Sequence, residues 1–247
     1  MRHSWQETAM PGRKPLVAEF LGTFTLVFAG TGSVIVNDVH SGVVSLVGIA
    51  LSFGLIVLSM IYTIGDVSGA HINPAVTFGF CLSKRFPWSS FLPYVIVQCL
   101  GALAASGCLH WFFPAHENLG ATLPSGAPEQ SFAMEVILTG LLVFVVLNVS
   151  QGAKERGITA GIVVGAVIAW EVLVGGPVSG ASMNPARSLG PAVVSGKLDH
   201  LWIYLTSTFV GSAVGVIAFH SIRSTEPAKP AAQTPAQPPA SKNRRRK

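Results

Sequence analysis

The chain has 247 residues, 50% of them apolar and only 11% charged, with a mean hydropathy of +0.54, which excludes an ordinary soluble domain. Its net charge of +5 does not point to nucleic acid, because residues 223–247 hold seven Lys and Arg against one Glu, leaving nine basic and ten acidic residues elsewhere. The composition is that of a membrane protein with a basic tail.

In chain order, residues 1–15 are expected to form a cytoplasmic N-terminal segment and residues 16–222 a single membrane domain. Apolar runs near 16–36, 43–64, 91–113, 132–149, 158–174 and 201–222 are each suited to crossing about 30 Å of hydrocarbon, which takes about 20 helical residues. Two further apolar segments, near 74–82 and 185–194, are too short to cross and are expected as half-helices enclosed by protein. Residues 223–247, rich in Pro, Ala and Gln, lack the apolar content to fold. They read as a solvated, disordered cytoplasmic tail, with attraction to anionic lipid as the functional alternative.

Lysine and arginine set the expected orientation. Arg2, Arg13, Lys14, Lys84, Arg85, Lys154, Arg156 and the seven in the tail fall on one side of a six-span arrangement, and only Arg187 and Lys197 on the other. This distribution places both termini in the cytoplasm. The first apolar run is long and lacks a small-residue cleavage pattern, so it reads as a retained span. Cys81, Cys99 and Cys108 lie in or beside apolar segments without paired spacing and read as packing residues.

Asn-Pro-Ala occurs twice, in SGAHINPAVTFG (residues 68–79) and SGASMNPARSLG (residues 179–190). Proline lacks a backbone donor and suits the first helical position, so Pro74 and Pro185 each open a short helix capped by Asn73 or Asn184 and continued by Ala75 or Ala186. The duplication extends beyond the motif. Glu19, Thr23, Leu26, Val27 and Phe28 recur 116 positions later as Glu135, Thr139, Leu142, Val143 and Phe144. Tyr94 and Gly101 recur 110 positions later as Tyr204 and Gly211. One three-span unit, about 16–113, is therefore repeated at about 132–222. Three is odd, so the second copy enters the membrane from the opposite side, giving inverted repeats. Short helices placed once per half then approach the membrane centre from opposite faces. Each helix N-terminus carries about half a positive charge, so the pair is hostile to cations and to proton relay.

The two Asn-Pro-Ala motifs in their SGAHINPAV and SGASMNPARS contexts, the AEFLGT opening and the six spans resemble the aquaporin, or major intrinsic protein, superfamily over residues 16–222. The resemblance implies an all-α membrane fold, a right-handed bundle of six helices plus two re-entrant half-helices, assembled as a homotetramer in a plasma or bacterial inner membrane. It implies that Asn73 and Asn184 donate N–H groups into the pore. It also implies an outer constriction formed by Arg187, three residues after Asn184, with Phe53, Val172 and Ala181.

This quartet bears on the solute. Strict water channels of the family typically place histidine where Val172 stands, and threonine or cysteine where Ala181 stands. The substitutions imply a wider, more apolar opening that takes glycerol, other polyols or neutral metalloid hydroxides together with water. Glycerol facilitators generally carry an acidic residue where this chain has Ser188. The pattern of Val172, Ala181, Arg187, NPARSLGPA and Tyr204-Leu205 is most similar to the nodulin-like branch, although Phe53 departs from a tryptophan common there.

Intramembrane Glu19 and Glu135 are open to two readings. As proton-relay groups, with Glu171, they would belong to a coupled secondary transporter. Their symmetric duplication favours bracing the exposed N–H groups of the two re-entrant loops, as the resemblance also implies. Glu171 should point about 100° away from Val172 and has no assigned role. Asp66 reads as a solvated loop carboxylate, and His71 as packing in its own loop. The sequence carries no catalytic motif, cofactor motif or metal-ligand cluster, so an enzyme is not expected. A passive channel for small neutral solutes is the leading reading, a strictly water-selective channel the alternative, and a scaffolding role for the tail the remaining one.

Overall fold

The computed structural model describes residues 11–150 and 154–222. The expectations for residues 1–10 and for the tail, 223–247, lie outside the described residues. Among the described residues there are eight α-helices: α1 Arg13–Val39, α2 Ser45–Ser68, α3 Pro74–Leu82, α4 Phe91–Phe112, α5 Pro128–Val149, α6 Lys154–Ser179, α7 Pro185–Ser195 and α8 Leu201–Ile222. All but α3 and α7 include a segment long and apolar enough to cross a membrane.

Several spans are longer than the apolar pattern indicated, and two overrun it most at their C-terminal ends. The second continues to Ser68, where Gly69 takes a left-handed φ of 89° and its N–H closes the last turn on the Gly65 carbonyl. The fifth continues through Pro177 to Ser179. Gly-Gly-Pro reads as a stop in sequence, yet Ser125 from the connection between α4 and α5 accommodates the helix end: its hydroxyl donates to the carbonyls of Pro177 and Val178. Its N–H also bonds the Val178 carbonyl.

The packing follows the internal repeat. Helix α1 packs on α4 and α2, as α5 packs on α8 and α6. Each half-helix packs on the last span of the other repeat, α3 on α8 and α7 on α4. Close approach is set by glycines at repeated positions: a Cβ on Gly101 would lie 2.4 Å from the Phe20 carbonyl oxygen, and one on Gly211 2.5 Å from that of Val136. The small-residue spacing therefore serves contacts within the bundle. Helices α2 and α6 run antiparallel past each other, since Leu46, Gly54 and Tyr62 meet Gly176, Gly165 and Gly161 respectively. Side chains from α1, α2, α5, α6 and α8 form one apolar cluster around the two re-entrant loops. Cys81 is buried as a packing residue, but Cys108 is exposed.

Candidate functional site: a re-entrant pore

Both half-helices begin as the motif demands. Asn73 and Asn184 stand in extended conformation before Pro74 and Pro185. The Asn73 Oδ1 accepts from the N–H of Ala75 at 2.8 Å, and the Asn184 Oδ1 from that of Ala186 at 3.0 Å. The two loops also clasp each other. Asn73 Nδ2 donates to the Met183 carbonyl at 2.8 Å and Asn184 Nδ2 to the Ile72 carbonyl at 2.9 Å. A carboxamide has two hydrogens, so each asparagine retains a second donor. Both asparagines line the same central cavity.

The loops before them are strained in matching places. Ala70 and Ile72 have φ of 49° and 42°, and Ala181 and Met183 of 44° and 54°. Left-handed backbone costs about 1–2 kcal/mol at each non-glycine residue and persists only where the surroundings enforce it. The enforcing groups are the duplicated glutamates. Glu19 accepts from the Ser68 hydroxyl and from the N–H groups of His71 and Ile72 at 2.7, 2.9 and 2.7 Å. Glu135 accepts from the Ser179 hydroxyl and from the N–H groups of Ser182 and Met183 at 2.8, 2.8 and 2.7 Å. Tyr94 and Tyr204 complete each brace by donating to the carbonyls of Ser68 and Ser179.

One bond breaks the symmetry. Gln98 Nε2 donates to Glu19 at 2.8 Å, whereas the position 110 residues on is Thr208, whose hydroxyl instead bonds the Tyr204 carbonyl in its own helix. Neither Glu19 nor Glu135 lines the cavity. Their hydrogen bonds go to the loops, and both are fully buried.

Along α2 the cavity lining runs from Phe53 through Val57 and Ile61 to Gly69, and along α6 it runs back from Ala160 through Val164 to Ile168. Arg187 and Phe53 stand together at one end. The Arg187 guanidinium lies 5.1 Å from the Phe53 ring centroid, and one terminal nitrogen donates to the Gly120 carbonyl at 2.9 Å. Its Nε has no hydrogen-bond partner. Val172 follows Ile168 by one helical turn toward that end. Val172 and Ala181 are buried in the apolar cluster that contains Phe53, but neither lines the cavity, which stops at Phe53 and Arg187.

His71 packs in its own loop as expected: Nδ1 lies 3.2 Å from Thr77 Oγ1 and the ring stacks on Phe80 at 4.6 Å. It also lines the cavity. Asp66 is exposed, but it sits in the last turn of α2 and not in a loop, because the helix runs past the expected end of that span. Glu171 is fully buried within electrostatic reach of Glu135, and neither of its oxygens has a hydrogen-bond partner. Nothing in the surrounding structure explains its charge. Sequence reasoning also gave no role to the connection before α5, which supplies Gly120 to Arg187 and Thr122 to Ser188, the two hydroxyls 2.7 Å apart.

The sequence matches the Major intrinsic protein family over residues 5–219. It is 45% identical over 218 residues to Aquaporin NIP1-1 of Zea mays, covering 88% of this chain and 77% of that protein. Nodulin-26 of Glycine max is 41% identical over 227 residues, covering 92% of this chain and 83% of its own length. Among solved structures, the aquaglyceroporin from Plasmodium falciparum matches with a TM-score of 0.76 at 26% identity, over 85% of this chain and 96% of that one. With paired half-helices, mutually clasped asparagines and these relatives, the chain belongs to the major intrinsic protein family and is a transmembrane channel of the aquaporin kind, not an enzyme.

Proposed function

We propose that the channel passes small uncharged, hydroxyl-bearing solutes, namely glycerol and similar polyols and neutral metalloid hydroxides, with water as a co-permeant, and that it excludes protons and ions. The observation that carries this reading is the division of the cavity wall. Leu26, Val57, Val164 and Ile168 offer carbon to the cavity, while Asn73, Asn184 and Arg187 offer polar groups. A carbon-bearing polyol can set its apolar edge against the first set and direct its hydroxyls to the second. Val172 and Ala181, where strict water channels carry histidine and a larger residue, agree with a filter wide enough for such a molecule.

Ion exclusion follows from the meeting of α3 and α7. Two helix N-termini, each worth about half a positive charge, face the same point. Each asparagine has a free N–H to orient a passing oxygen, whose lone pairs are then unavailable to relay a proton. The outward role of Glu19 and Glu135 in bracing leaves a coupled-transport reading without a carboxylate in the cavity. We further place both termini in the cytoplasm and the assembly as a homotetramer in a plasma or bacterial inner membrane. Stopped-flow light scattering on proteoliposomes, comparing water, glycerol, urea and boric acid, tests the reading. Glycerol and boric acid entry above that of empty liposomes is expected, and water permeation alone would overturn it.

A further inference from the structure

The segment between α4 and α5 reaches the filter through a short relay. His116 lines a hollow with Asp38 of α1 and with Glu117 of its own segment, and these are the charged or titratable groups around it there. Its Nε2 lies 3.4 Å from Asp38 Oδ2, and its Nδ1 accepts the N–H of Leu119 at 3.0 Å. Only the ring form that carries its proton on Nε2 satisfies both contacts.

Leu119 is fully buried against Ile35 and Leu109, and it holds a left-handed φ of 51°, followed by Gly120 at 70°. Such a backbone persists when its surroundings fix it. Three bonds do so: Leu119 N–H to His116, Gly120 N–H to Asn118 Oδ1 at 3.0 Å, and Ala121 N–H to the Asn118 carbonyl at 2.9 Å. The carbonyl of Gly120 then accepts from Arg187.

We propose that His116 is a positioning residue for the filter: with Nδ1 unprotonated it holds the Leu119–Gly120 turn that anchors Arg187, and protonation of that nitrogen loosens the anchor and lowers solute flux. The chemistry is local. A proton on Nδ1 occupies the lone pair that accepts the Leu119 N–H, so two N–H groups face each other and the turn loses one of its three fixings, the one supplied by a side chain outside the turn. Histidine side chains ordinarily change charge between pH 5 and 8. Once freed from the Gly120 carbonyl, the Arg187 guanidinium is no longer held to the wall and reaches over the opening beside Phe53. This inference rests on the reading of Arg187 as part of the filter.

The test is glycerol entry into proteoliposomes of the full chain with equal pH on both sides of the membrane. Wild type is expected to slow at least twofold between pH 7.5 and pH 5.5. In His116→Asn the side-chain oxygen can accept the same N–H but does not titrate, so the ratio of the two rates goes to about one. An unchanged wild-type rate across this range overturns the proposal, as does the same slowing in His116→Asn. A chain with no glycerol entry at either pH overturns the filter reading, and this inference with it.

Discussion

Gly54 of α2 and Gly165 of α6 pass each other so closely that a Cβ on either would lie 2.6 Å from the carbonyl oxygen of the other. They occupy matching positions in the two repeats, 111 residues apart, so this contact marks where the inverted halves cross. Gly165→Ala is expected to force the two helices apart and to destabilise the protein by about 1–3 kcal/mol. Thermal unfolding in detergent should show a clear fall in Tm. Gly107→Ala, where no atom lies within 4 Å of the added carbon, should leave Tm unchanged or raise it.

The loop glutamates predict an asymmetry between chemically mild substitutions. Glu135→Gln keeps the volume but turns one acceptor oxygen into a donor, facing the N–H of either Ser182 or Met183. Leaving a buried donor unsatisfied costs about 1–3 kcal/mol. Because the loop also carries Ala181 and leads into Arg187, we expect solute flux per folded protein to fall more than tenfold. Stopped-flow rates normalised to reconstituted protein would check this. A variant that folds and conducts normally would remove Glu135 from the bracing role.

Glu171 predicts the opposite direction. The first repeat has Met60 at the matching position, 111 residues earlier, and the carboxyl of Glu171 has no hydrogen-bond partner. A polar group buried without partners costs about 1–3 kcal/mol by mutational measures. Glu171→Met should therefore raise Tm in detergent without loss of glycerol flux. A lower Tm would mean that the carboxyl has a bonding role in the folded channel.

Much of this architecture was legible in the sequence because it is local or repeated. The half-helices follow from Asn-Pro placement, and the bracing by Glu19 and Glu135 follows from their duplication and from the N–H groups that re-entrant loops expose. What was not legible depends on contacts across the chain. Gln98 braces Glu19 from 79 residues away and has no copy to betray it. Tyr94 and Tyr204 were visible as a repeated pair, but only folding shows their hydroxyls on the Ser68 and Ser179 carbonyls. The connection before α5 is neither apolar nor duplicated, so its reach to Arg187 through Gly120, 67 residues before that arginine, carries no sequence signal. The end of α6 was missed because Pro177 reads locally as a stop, whereas Ser125 supports the helix beyond it.

The filter itself is tested most directly at Val172. Placing a histidine one turn beyond Ile168, toward Phe53 and Arg187, would narrow the opening and add a polar wall where carbon is expected to slide. Glycerol and water permeability should be measured by stopped-flow on the same preparations of wild type and Val172→His. The account predicts that glycerol entry falls several-fold more than water permeation; an unchanged ratio between the two would contradict it.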